Sequence, residues 1–204
     1  MKRIVITALV LAFATSAHAG GGPLGIDHQL AFDQSGIWKR SYQTGLMALL
    51  VGGEVAGALA EGGESRLGKT LWQSIDATVF ALGGATAGKL AFQRSRPNQG
   101  NGPDQWFQGS HNYSFPSAEV ATVSAVVTPM IMQYGGDHPE VYALALLPAY
   151  MGAARLKSQA HWQTDVLAGA AVGIGSGYYA AHRDSPLVLS AMPQSVYVGF
   201  RKQW

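Results

Sequence analysis

His161 and Asp165 stand four residues apart, preceded at six residues' distance by Arg155. On a helix, positions four apart share a face and can touch. A carboxylate that bonds one imidazole nitrogen fixes the tautomer and leaves the other nitrogen's lone pair free to attack an electrophile. A plain helix contact explains such a pair equally well. Arg155 cannot share that face on one continuous helix, so the spacing predicts that it arrives from the preceding turn.

Two further segments carry groups suited to an anion. Pro116-Ser117-Ala118-Glu119 reads as a helix start, with proline near the first turn. Backbone N–H groups at Ser117 and Ala118 would there favour negative charge. A well-capped helix with an acid at its positive end accounts for the same residues. Lys89, Arg94 and Arg96 bring three cations to one helix end, and Pro97 stops it. Alone, these read as a solvated basic terminus complementing the helix dipole. His111 is a second candidate acid, on a loop where an exposed histidine is the commoner outcome. Trp106, Phe107 and Tyr113 are suited to an apolar lip for a lipid tail or to plain loop packing. His28, His138 and His182 match no pattern and read as surface residues.

The elements that must position these groups are helices. Apolar runs predict them over 27–43, 45–61, 69–93, 117–134, 139–154 and 161–183, with punctuation at Glu61-Gly62-Gly63-Glu64 and Gly135-Gly136-Asp137. Residues 97–116 form a long loop, a length that often marks function. The small residues from Gly169 to Gly177 would let a helix approach its neighbours closely. Residues 187–190 and 195–200 flank Met192-Pro193-Gln194 and suggest a short β-hairpin. The expected fold is all-α: a single helical-bundle domain with a short C-terminal hairpin.

Taken together, the three segments resemble the type 2 phosphatidic-acid phosphatase and vanadium haloperoxidase family. Its pattern is Lys-x6-Arg-Pro, Pro-Ser-Gly-His, then Ser-Arg-x5-His-x3-Asp. Lys89, Arg96 and Pro97 match the first motif; Arg155, His161 and Asp165 match the third at the required spacing. There are two departures: Ala118-Glu119 stands for Gly-His, and Ala154 for the serine before Arg155. The resemblance implies that Lys89, Arg96 and Arg155 grip the phosphoryl oxygens, with the Ser117 hydroxyl and the Ala118 amide. It implies His161 as nucleophile forming a phosphohistidine, Asp165 as its support, and no metal or other cofactor. The family's second-motif histidine is the candidate acid, so Glu119 is expected to take that role, with turnover favoured at acidic pH. A phosphate-binding protein that has lost its acid, and a vanadate-dependent haloperoxidase, use the same cradle.

Bulk composition is compatible with this. Lys2, Arg3, the apolar run Ile4 to Phe13 and Ala17-His18-Ala19 read as a secretory signal over 1–19, ahead of a phosphatase-like domain over 20–204. The alternative is an uncleaved anchor. Loss of Lys2 and Arg3 leaves 12 basic against 12 acidic residues, so no basic stripe for nucleic acid is present. There is no cysteine, hence neither disulfides nor thiolate chemistry. A low charged fraction of 13% with mean hydropathy of only +0.08 suggests a globular helical domain lying on a membrane surface, with insertion of several helices as the alternative. The signal implies the periplasm, and the family resemblance implies a phosphorylated lipid or small molecule as substrate.

Overall fold

The computed structural model describes residues 20–183 and 186; the expected signal segment and hairpin lie outside them. Five α-helices make an all-α bundle: α1 (Arg40–Glu61), α2 (Arg66–Phe92), α3 (Ala118–Tyr134), α4 (Leu146–Lys157) and α5 (Gln163–Ala181). Among the described residues there is no strand, only an isolated bridge between Gly21 and Asp27.

Local chemistry explains where the expected elements hold and where they do not. Ser65 caps α2 by accepting from the Gly68 amide, and the helix ends where Gln93 turns left-handed at φ 43°. The expected helix over 27–43 forms only over 40–43, where it is continuous with the one expected over 45–61 as α1. The Asp33 side chain accepts from both the amide and the hydroxyl of Ser35, a local turn that competes with helix. Gly36 then takes φ +50°, and only a short 3-10 turn, Gly36–Trp38, precedes α1. Likewise 139–154 begins as a 3-10 stretch, Pro139–Ala145, before becoming α4.

Small residues let the three central helices approach closely. Ala77, Ala81 and Ala85 of α2 meet Ala121 and Ala125 of α3 and Ala180 of α5, all fully buried. On α5, Gly169, Gly173 and Gly177 recur every fourth residue and face α3. A Cβ on Gly173 would lie 2.1 Å from the Ala121 carbonyl oxygen, and one on Gly169 would lie 2.4 Å from that of Ser117. The expectation of close approach over 169–177 is met. A second cluster, Val120, Val123 and Met151, joins α3 to α4 and takes Leu46, Met47 and Leu50 of α1 against it. The helix ends carrying Arg40, Lys89, Ser117, Arg155 and Asp165 meet at one end of this bundle.

Candidate active site

The third predicted segment supplies the centre. α4 ends at Lys157, so Arg155 lies in its last turn, and α5 does not begin until Gln163. His161 is therefore on the connection, and Asp165 in the first turn of α5, rather than both on one helical face. The consequence is chemical. Nδ1 of His161 lies 2.7 Å from the backbone carbonyl of Ser114 but 3.7 Å from the Asp165 carboxylate. The first is a hydrogen bond; the second is beyond hydrogen-bond reach and becomes an ion pair only when the ring is charged. Because a carbonyl can only accept, Nδ1 carries the proton and Nε2 keeps its lone pair. The tautomer is set by Ser114, which the sequence did not flag, while Asp165 acts one step away.

Asp165 is saturated with donors. Its Oδ2 accepts from the Ser114 hydroxyl at 2.5 Å and the Trp162 amide at 2.9 Å, and its Oδ1 pairs with Arg94 at 2.7 Å. Burial pushes the Asp165 carboxyl up, but the nearby imidazole, Arg94 and Ser114 outweigh this and hold it below its ordinary value. The imidazole of His161 is lowered to about 4, chiefly by burial and then by Arg96 and Arg155, against the pull of Asp165. At neutral pH it is uncharged, as a nucleophile requires.

The structure brings Lys89, Arg96 and Arg155 to the same end of the bundle. Lys89 Nζ, in the last turn of α2, donates to the Tyr113 carbonyl at 2.6 Å, and Arg96 reaches the same oxygen at 3.2 Å and the Ala160 carbonyl at 3.0 Å. Thus both cations and the His161 ring are tied to adjacent carbonyls of one loop. Burial, then Arg96, lowers the Lys89 ammonium to about 8, partly offset by Asp165 and Glu119. Arg155 is lowered to about 10, mainly by burial, and remains a cation. Each of these groups senses the charge of its neighbours, so they share one basin.

Glu119, in the first turn of α3, sits among them. Its Oε2 lies 2.7 Å from Arg155 Nε, a close ionic contact without hydrogen-bond alignment, and its Oε1 lies 2.5 Å from Arg40 Nη2. Burial raises the Glu119 carboxyl, but the Arg40 hydrogen bond and the charge of Arg155 prevail and lower it. Before an anion arrives, Glu119 is therefore an ionised carboxylate lying against two guanidinium groups. Arg155 also donates to Gln43 of α1 at 3.0 Å. Arg40 and Gln43 belong to no motif, and only their placement at the start of α1 reveals them.

The remaining expectations divide. The Ser117 amide is committed to the Asp165 carbonyl at 2.9 Å, so it is not offered to an anion. Its hydroxyl is buried without a hydrogen-bond partner and can donate. Ala118 opens α3, so its N–H has no intrahelical acceptor. Arg94 is not a solvated cation: it is fully buried between Asp27 and Asp165. Trp106 lies over the Arg94 guanidinium at 4.3 Å and edges onto Phe92 and Phe115, whereas Phe107 is exposed. His28, His111, His138 and His182 are all exposed. Among the described residues, no group of three or more His, Cys, Asp or Glu could hold a metal.

A family model described as the PAP2 superfamily matches residues 71–186, more than half of the chain. A protein named lipid A 1-phosphatase, from Porphyromonas gingivalis, is 37% identical over 103 residues, covering 48% of this chain. That stretch is 21% of the relative's own length, so the chain spans about a fifth of it. No solved structure matches significantly.

Proposed function

The chain belongs to the PAP2 superfamily, and from that membership and the geometry we propose that it is a phosphatase that cleaves phosphomonoesters or diphosphates, of lipids above all, through a phosphohistidine. The observation that carries the reading is a buried, neutral imidazole with Nδ1–H fixed on the Ser114 carbonyl, beside Lys89, Arg96 and Arg155. The lipid A 1-phosphatase likeness supports a lipid phosphate as substrate.

In this mechanism Lys89, Arg96 and Arg155 hold the non-bridging oxygens, with the Ser117 hydroxyl and the Ala118 amide as further donors. Fixed cations stabilise the charge that develops on the phosphoryl group without reorganising, which is where most of the rate enhancement arises. Nε2 of His161 attacks phosphorus; the N–P bond forms as the bond to the leaving oxygen breaks. The growing positive charge on the ring is offset by Asp165. Water then attacks phosphorus as the N–P bond breaks, giving its proton to the group that protonated the leaving oxygen, releasing phosphate and restoring the lone pair on Nε2. The cations supply the charge neutralisation, so the reaction runs without a metal.

Glu119 is the proposed proton donor to the leaving oxygen. It is ionised while it rests on Arg40 and Arg155, so it must gain a proton before it can act. A phosphate dianion that takes Arg155 places like charge beside the carboxylate and pushes its affinity for protons up. Substrate binding and proton uptake are then coupled, which favours acidic pH. The same ion pairs favour a second reading, an anion-binding protein in which Glu119 is only a counter-ion.

Export by a signal over 1–19 and residence on the periplasmic membrane surface complete the proposal. Its support is apolar exposure on the helices, with Leu49, Val79, Leu82, Leu90 and Ile174 each at least 44% exposed. α1 is long and apolar enough to cross a membrane by length and composition, with 17% of its most apolar window buried.

Phosphate release from p-nitrophenyl phosphate, an alkyl phosphate and a lipid phosphate, each with and without chelator or vanadate, tests the reading. Release that survives chelator, stops with vanadate and vanishes in His161→Ala is expected. Anion binding with no release and no labelling of His161 in a single turnover would leave only the binding role.

A further inference from the structure

Asp27 lies on the segment ahead of α1, outside both the motifs and the matched stretch 71–186, yet it is as buried as any residue of the site. We infer that Asp27 is a positioning residue for the nucleophile, acting through Arg94 and the first turn of α5 on Asp165 and His161. The inference rests on the phosphatase reading above.

The contacts run in two directions from one carboxylate. Oδ2 of Asp27 pairs with Arg94 Nη2 at 2.7 Å and accepts from the Thr164 hydroxyl at 2.6 Å; Oδ1 accepts from the Thr164 amide at 2.8 Å. Thr164 is the second residue of α5, whose N-cap, Trp162, makes no side-chain cap. Asp27 therefore supplies from a distant segment the acceptor that a local Ser or Asp would normally provide to an early helical amide. It holds the turn that carries Asp165 and follows His161.

The second direction passes through Arg94. A guanidinium has five N–H donors, and all five are used here. Nε donates to the Pro103 carbonyl at 3.1 Å; Nη1 donates to Thr164 Oγ1 at 2.8 Å and Asp165 at 2.7 Å; Nη2 donates to Asp27 at 2.7 Å and Pro103 at 2.6 Å. Trp106 lies over its face. With no spare donor and no exposure, Arg94 cannot shift toward Asp165 without breaking a bond to Asp27. Two carboxylates share this one cation, so the group as a whole keeps one negative charge near the ring of His161. That charge is what an imidazole becoming cationic at phosphorus requires. Without Asp27 the guanidinium would belong to Asp165 alone, cancelling it.

None of the three proposed phosphoryl-gripping cations touches Asp27, so the expected signature is a split between kinetic constants. Asp27→Asn should lower kcat about 10- to 100-fold, by analogy with the outer partners of metal-ligating histidines, whose loss costs about that much. KM should stay within about threefold, since substrate contacts are untouched. The assay is steady-state release from p-nitrophenyl phosphate and an alkyl phosphate, run well below the melting temperature on protein shown by circular dichroism to be folded. A folded Asp27→Asn with wild-type kcat, or one in which only KM moves, overturns the inference. Should Asp27→Asn fail to fold, Thr164→Val removes the hydroxyl that links Asp27 to Arg94. It should cost kcat about 3- to 10-fold, the size of one lost neutral hydrogen bond, and an unchanged kcat again overturns the inference. Wild-type protein that releases no phosphate instead sinks the phosphatase reading itself.

Discussion

Replacing Glu54 by Gln should change the pH dependence of stability in a defined direction. Glu54 of α1 is only 4% exposed, and its Oε2 has no hydrogen-bond partner. It lines an apolar cavity of ≈ 260 Å³ with Leu49, Leu50, Leu71, Val126 and Met130. Burial pushes its carboxyl from 4.5 up to about 7, against a weaker pull from Thr78. The native state therefore holds a proton that the unfolded chain has released between those values. The resulting stabilisation is complete below pH 4.5 and is lost as pH rises to 7. At 1.36 kcal/mol per pKa unit, the total is about 3 kcal/mol. His161 works in the opposite sense. Lowered from 6.5 to about 4, it contributes stability above 6.5 that is lost as pH falls toward 4. The two slopes oppose each other between pH 4.5 and 6.5, so the wild type should vary little there through these groups. Glu54→Gln removes one slope and exposes the other. Relative to wild type, the variant should gain about 2–3 kcal/mol between pH 5 and 7.5, or about 5–10 °C in Tm for a chain of this size. Thermal melts of both proteins across that range measure it. Parallel curves for wild type and variant would refute the reasoning.

The free-enzyme profile of kcat/KM should fall through about pH 8 as Lys89 loses its proton, and Lys89→Arg should carry that limb to higher pH. Glu119→Gln should reduce turnover of an alkyl phosphate about 100-fold or more while sparing p-nitrophenyl phosphate, whose leaving group needs no proton; equal rates on both would remove Glu119 from the mechanism. Calorimetry of vanadate or phosphate binding in buffers of different ionisation enthalpy should report proton uptake that Glu119→Gln abolishes. Gly169→Ala, whose Cβ would press on the Ser117 backbone, should cost about 1–3 kcal/mol and lower activity. Gly83→Ala, with open space around it, is the control and should be neutral or slightly stabilising.

The residue types and intervals by themselves determined which groups could do the chemistry. Lys89, Arg96, Arg155, His161 and Asp165 are legible because their types and intervals together match one family's motifs, whereas each segment taken alone reads as ordinary helix chemistry. The helical class and the small-residue seam of α5 were equally legible, since apolar periodicity and side-chain volume are local properties. What holds the imidazole was not. His161 precedes α5 instead of riding on it, so the four-residue spacing to Asp165 implied a contact that the Ser114 carbonyl makes instead. Nor could the sequence show that Arg94, which matches no motif, is buried between two carboxylates. The helix ends at Gln93, and beyond it no periodicity says which side chain turns into the bundle and which toward the pocket. Asp27 lies far from every motif in the chain and reaches the site because the segment before α1 folds back to Arg94 and the first turn of α5; Arg40 and Gln43 reach it because the start of α1 packs beside Glu119 of α3 and Arg155 of α4. A buried charge needs its partner wherever the fold can deliver one, and only the assembled tertiary structure decides from which stretch of chain that partner comes.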